Sequence, residues 1–474
     1  MRKLIVIVIV ALGVLLLVPA ASAWASPQTF YVHPSGGNDT HNIQQAFNAA
    51  VKAGPGSTVQ LSAGHFYTNT IVASDFRGTF RGAGEGATFI DSLQALAASE
   101  PPVTNDPAVE PYPFLIGFRG GDVCVSDLTA DITSPTPAVG LFDGTSTALA
   151  DVFLVTDSAN ASFKHMAVIA NSGDAEGYNV WLDVEITGLE QTNVWDEPYA
   201  LSPTSGVDAV TDCSFTGRAG IECFCLTDGR LTVGGSAAQQ NVFNVASVGC
   251  IFTDNSNSDI EVSHNQMQCS LGQNLLLWQG AAASNDSGAP LPPKPAPRYL
   301  IADNSMLCTG TAGGVWVEDD SSLWSAVNRL HAVIADNAIH LDNDGWDAGI
   351  DGLYAQGIWV LHNRICGTGL AAVDVGALSL LGLPSAPASG WKIIGNDVSG
   401  LTATGDQYGI STAQIWLGPD ADHCLVVGGC RPTQVLDQGT DDTLINVTKL
   451  PLPATAPASP MGQTKRMLMK GVLP

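Results

Sequence analysis

Carboxylates and indole rings recur at matching places in the second half of this sequence. Short apolar runs, CIFTDN from Cys250, LLLWQG from Leu275, VWVEDD from Val315, IDGLY from Ile350 and AVDVGA from Ala372, align so that one position reads Phe252, Leu276, Trp316, Asp351, Asp374. Two residues on, the aligned position reads Asp254, Trp278, Glu318, Leu353, Gly376. Acids beside tryptophans suit a sugar groove, because indole rings stack on pyranose faces while carboxylates bind hydroxyls, a cation or the glycosidic oxygen. Glu318, Asp351 and Asp374 are therefore the candidate catalytic acids, and Trp278, Trp316 and Asp254 the candidate substrate contacts. If the runs are neighbouring strands, Asp351 and Asp374 stand about 4.8 Å apart at Cα. Two carboxylates that close share a proton or a cation. A Ca2+ ion bound by both serves a lyase, and a pair at about 5 Å serves a retaining glycosidase. Solvated surface acids are the plain alternative.

The stretch LDNDGWDAGID, residues 341–351, adds Asp342, Asp344 and Asp347 to Asp351. Turn chemistry explains an Asp and Gly cluster of this kind. The sharper reading makes Asp342, Asp344 and Asp347 calcium ligands, since DNDG resembles the start of a calcium loop. His331, His340 and His362 show no ligand spacing and read as strand-surface residues.

The elements that must position these side chains form a repeat. IEVSHNQM, YLIADNSM, AVIADNAI, IWVLHNRI and WKIIGNDV each end a β-rich run in Asn, one residue and an apolar side chain. Asn265, Asn304, Asn337, Asn363 and Asn396, with Asn241 ahead of them, are spaced 24, 39, 33, 26 and 33. The excess over 24 falls mostly in Pro, Gly and Ser-rich insertions at 280–298, 319–329 and 379–390, each following the second run of its repeat. A coil this short cannot bury its apolar face alone, so coils stack strand on strand as a parallel β-solenoid. Asn at a strand end tolerates left-handed backbone and can hydrogen-bond along the stack. An open coil end needs a cover. Ile43, Ala46, Phe47, Ala50 and Val51 share one helical stripe, with Asp39 or Thr40 as N-cap and Gly54 as stop, and this helix caps the N-terminal end. HCLVVGGCRPTQVLDQGTDDTLINVT closes the other end.

The totals set the setting. Arg2-Lys3, the apolar run Leu4–Val18 and small residues at 21–23 read as a signal peptide over 1–25, too short for a span of about 20. The chain is then exported, with no membrane partner after cleavage. Residues 26–449 form the solenoid domain, and 450–474 a disordered, Pro-rich basic tail. Net charge is 19 − 45 = −26, or −28 without Arg2 and Lys3, which excludes nucleic acid as a partner. Asp outnumbers Glu 35 to 10, fitting turns and oxygen ligands better than helices. Ten cysteines lack zinc spacing. Cys269 and Cys308 each follow a repeat asparagine by four residues, so they stack either as a disulfide or as core thiols. Cys424 and Cys430 flank a short loop and could pair locally. Asn38, Asn160, Asn285 and Asn446 are glycosylation sequons.

The opening IQQAFNAAVKAGPGSTVQLSAGHFY, then FRGTFRGAGEGATFI, resembles the start of the pectin lyase-like superfamily, and the N-x-apolar ladder is similar to theirs. The resemblance spans about 29–448 and implies an all-β, right-handed parallel β-helix with an N-terminal capping helix. Its members include polysaccharide lyases, glycoside hydrolases, epimerases and non-catalytic adhesins, so it implies a secreted protein that binds or processes an extracellular polysaccharide, as an enzyme or as a structural rod. The Gly-His-Gly and Arg-Ile-Lys runs of polygalacturonase-type hydrolases and the Asp-Pro-His-Asp run of alginate epimerases are missing. No family catalytic residue is therefore carried over.

Overall fold

Three inward-facing ladders of aliphatic side chains run through the coils of the second half of the chain, and the rest of the architecture follows from them. The computed structural model describes residues 26–69, 71–92, 114–131, 152–156, 160–169, 184–187, 207–217, 220–224, 230–246, 249–254, 259–279, 298–319, 330–343, 347–376, 387–404, 413–429 and 431–452. The expected signal segment, most of the three insertions, Asp344, Asn285, Cys430 and nearly all of the tail lie outside them.

Strands run from Thr29 to Lys449 and pair in parallel, in a 23-stranded, a 13-stranded and a 2-stranded sheet. From Val207 to Leu417, successive coils give two strands to the large sheet and then one to the 13-stranded sheet, as Asp259–Ser263, Gln266–Cys269 and Gln273–Gln279 do. The first ladder stacks Val262, Ile301, Ile334, Val360, Ile393 and Val426 in register. Met267, Met306, Ile339 and Ile365 form the second, and Leu275, Val315, Ile350, Val373, Ile415 and Val435 the third. All are buried, each worth about 1.5–3 kcal/mol of transfer free energy. The chain is thus the right-handed parallel β-helix that the sequence resembles, coiling in the sense that parallel crossovers take.

The asparagines fall in one buried column, as their spacing implied. Asn241, Asn265, Asn304, Asn337 and Asn363 each donate from Nδ2 to the next Oδ1, at 2.9–3.0 Å. That Oδ1 also accepts the preceding asparagine's backbone N–H, at 2.8–3.4 Å. A second Nδ2 proton goes to a carbonyl of the strand before, as from Asn304 to Val262 at 2.8 Å. One expectation is corrected here. The left-handed residue is not the asparagine but its predecessor: His264, Asp303, Asp336, His362 and Gly395, at φ of 53–66°. The corner is turned before the asparagine, whose amide is then free to bond along the stack.

The helix Thr40–Ala53 (α1) covers the N-terminal end. Its Phe47 ring packs on Phe76, Phe80 and Phe118, with centroids 5.2, 5.0 and 5.7 Å away. Val51, expected in the buried stripe, is 37% exposed, and Ala53 is buried instead. Asp39 makes no side-chain cap; its Oδ1 accepts from Ser35 N, and Asn38 Oδ1 takes Thr40 N. Among the described residues no helix is long and apolar enough to cross a membrane.

Candidate functional site

The second runs all lie in the 13-stranded sheet, and their register is the aligned one. Leu276, Trp316, Asp351 and Asp374 are Cα partners in succession, after Phe252. Asp254, Trp278, Glu318 and Leu353 form the next column. The third aliphatic ladder alternates with the acid column along each strand, so Ile350 and Val373 point inward and Asp351 and Asp374 outward.

Sequence reasoning missed how the column ends. Asp374 is followed in register by Trp416, so the two acids stand between two indole-bearing strands, Trp316 on one side and Trp416 on the other. The run QIWLG carried the signal, but the inserted residues ahead of it hid its register. Trp316 Nε1 donates to Glu318 Oε2 at 3.1 Å, and Trp416 Nε1 to Gln438 Oε1 at 3.0 Å. Both rings are held by a side chain outside the aliphatic core.

The expected open ridge is corrected as well. Asp351 is 1% exposed, Asp374 0%, Glu318 8% and Trp316 7%, although none belongs to the aliphatic core. The two carboxylates are thus taken out of water at one strand spacing.

The strand Ile350–Leu353 is aimed from the core side. Gly352 sits opposite the buried Trp391 indole, where an added Cβ would come within 2.2 Å of the ring. Trp391 is itself fixed by donating from Nε1 to Ala355 O at 2.8 Å.

The other expected ligands are not brought into this arrangement. Asp342 ends the strand Ala338–Asp342 in the large sheet and is exposed. Asp347 is buried in the turn, where its carboxylate accepts from Gln273 Nε2 at 2.6 Å and Ala348 N at 2.9 Å. Its backbone oxygen takes Asn343 Nδ2 at 3.0 Å. The contact with Gln273 reaches another coil, and the other two lie within the turn. Asp319, in register with Gln279, accepts Leu330 N at 2.9 Å. His331 and His340 are exposed on strands, and His362 turns the corner.

Among the described residues, the three-member group of metal-type ligands is Asp422, His423 and Asp441. It lies on the surface of the last coils, and Asp422 Oδ1 is already taken by Thr440 Oγ1 and His423 Nδ1, both at 2.8 Å. The hydrogen bond that His423 donates to Asp422 raises the His423 pKa and lowers that of Asp422. Nearby, burial and then Asp437 hold the Asp442 pKa at about 6, against the hydrogen bond from Cys424 N. Asp437 accepts Lys449 Nζ at 2.6 Å.

No protein-family model matches the chain, and no curated protein matches it by sequence. Solved structures do resemble it. The Azotobacter vinelandii mannuronan C-5 epimerase AlgE6 A-module is 14% identical at TM-score 0.48, covering 87% of this chain and 96% of its own. PfbA, a surface adhesin of Streptococcus pneumoniae, is 12% identical at 0.46, covering 85% and 92%. The Yersinia enterocolitica family 28 exopolygalacturonase is 10% identical at 0.46, covering 90% and 79%. Likeness at this level assigns no activity.

Proposed function

We propose that the chain is an exported enzyme that cleaves glycosidic bonds of a polysaccharide, with Asp351 and Asp374 as its acid pair and Trp316 and Trp416 as sugar-facing walls. The observation that carries this reading is the in-register pair of buried carboxylates between two indole-bearing strands. Adjacent strands about 4.8 Å apart put the carboxyls near the roughly 5 Å separation of retaining glycosidases, in which one acid protonates the leaving oxygen and the other attacks the anomeric carbon. Glu318 orients Trp316, and Asp254 and Trp278 share the Glu318 register column.

The sheet's charge bears on the substrate. Its strands carry Glu185, Glu222, Asp254, Glu318, Asp319, Asp351, Asp374 and Asp437 against the bases Arg119 and Lys449. A neutral polysaccharide meets no repulsion there, whereas a uronate requires a bridging cation. Calcium fits the oxygen-only donor set: Asp351 and Asp374 would hold it, and it would supply charge neutralisation at the pair. The burial of the pair favours a second reading, a non-catalytic glycan-binding rod. A panel of neutral and anionic polysaccharides, with calcium or with chelator, separates these readings. Reducing ends without ultraviolet-absorbing products are expected. Calcium-dependent unsaturated products indicate a lyase, and binding without products indicates the rod.

A further inference from the structure

Three thiols lie inside the middle coils, away from the acid column. Cys269 ends the strand Gln266–Cys269, and its Cα partner in the next coil is Cys308 of Ser305–Thr309. Both are fully buried, and with Cys250 they are free thiols in this structure. Parallel strands hold in-register Cα atoms about 4.8 Å apart, within the range of about 4.4–6.8 Å that a disulfide bridges, and side chains in register leave on the same face. The remaining approach falls at strand ends: Cys269 is followed by the Ser270–Gly272 bend, and Cys308 is one residue from the end of its strand.

Cys250 is engaged elsewhere. Its Sγ donates to Asn274 Oδ1 at 3.3 Å, and Asn274 Nδ2 donates to Cys308 Sγ at 3.2 Å. Cys250 Sγ also donates to Gln268 O at 3.5 Å, so all three thiols lie near one another, but only Cys269 and Cys308 are Cα partners in register.

We propose that Cys269 and Cys308 are a disulfide-forming pair that staples two successive coils when the chain folds in the presence of a disulfide oxidant. With oxidised glutathione, one cysteine thiolate attacks the S–S bond and releases one glutathione thiol. The second cysteine then displaces the other. One Cys269–Cys308 bond forms, the oxidant's bond is reduced, and both thiol protons end on glutathione. Burial raises the pKa of all three thiols, so the folded interior holds little thiolate and the exchange belongs to folding. The closed loop spans 269–308 and includes the long insertion, so it restricts the unfolded chain substantially.

The test is refolding of the full reduced chain in glutathione buffer, followed by denaturing alkylation, intact mass and peptide mapping. Wild type and Cys250→Ser are expected to lose two hydrogens, to yield one peptide linking Cys269 to Cys308, and to melt a few degrees higher than when reduced. Cys269→Ser loses the link and the shift; if it does not fold, Cys250→Ser decides, because it keeps the pair. Full alkylation of both cysteines in wild type and Cys250→Ser overturns the proposal, as does a link between Cys308 and Cys250.

Discussion

The asparagine column and the Asp351–Asp374 pair are both polar, both buried and both built by stacking one residue type on adjacent coils, yet they differ in what the stacked groups can exchange. An amide donates and accepts, so each asparagine from Asn241 to Asn363 satisfies its neighbour and the column closes on itself. An ionised carboxylate only accepts. The acid column is shorter: it carries Asp351 beside Asp374 and then gives way to indole-bearing strands on either side. Stacked amides support one another along the coils, whereas the stacked acids are the feature proposed to act.

The two columns should accordingly fail in opposite ways. The largest effect is expected at Asn304→Ala. This removes donations to Val262 O and Asn337 Oδ1 and strands the buried N–H groups of Asn265. With about 1–3 kcal/mol per unsatisfied buried group, a loss of about 3–5 kcal/mol should appear in denaturant unfolding, with site chemistry retained in the folded fraction. A loss below about 1 kcal/mol would mean that the column is decoration.

Gly352→Ala sharpens the comparison from the core side of the acid-bearing strand. Its Cβ would meet the Trp391 ring, which is buried and tethered to Ala355, so overpacking should cost about 1–3 kcal/mol. An unchanged unfolding curve would mean that the inner and outer faces of this strand have been assigned the wrong way round.

A half-buried acid pair gives an intermediate case. Asp442, held at about 6 by burial and Asp437, binds its proton more tightly in the folded chain than its ordinary value of 3.8 allows in the unfolded one. Its contribution is thus fully present below about pH 4 and lost as pH rises through about 6. Asp442→Asn should melt higher than wild type at pH 8, with the advantage shrinking or reversing at pH 4. An advantage independent of pH would remove the coupling.

Much of this was readable in the sequence, for a physical reason. The N-x-apolar tag survives unequal insertions because the amide column and the inward ladders tolerate no register slip, so aligning on asparagine also aligned Trp316, Asp351 and Asp374. Trp416 was not readable, because no tag lies between Asn396 and it. The burial of Asp351 and Asp374 was not readable either, since what lies over an outer face is set by residues remote in the chain. Nor was the left-handed corner, which His, Asp and Gly fill in turn and which therefore leaves no single letter to follow.

The central claim is that the carboxylate column acts while the asparagine column supports, and turnover by Asp374→Asn, with melting temperature measured on the same preparation, tests it most directly. On whichever polysaccharide the wild type cleaves, the variant should lose at least about 100-fold in rate while keeping the melting temperature of the wild type. Unchanged turnover, or turnover lost only together with the fold, would contradict it.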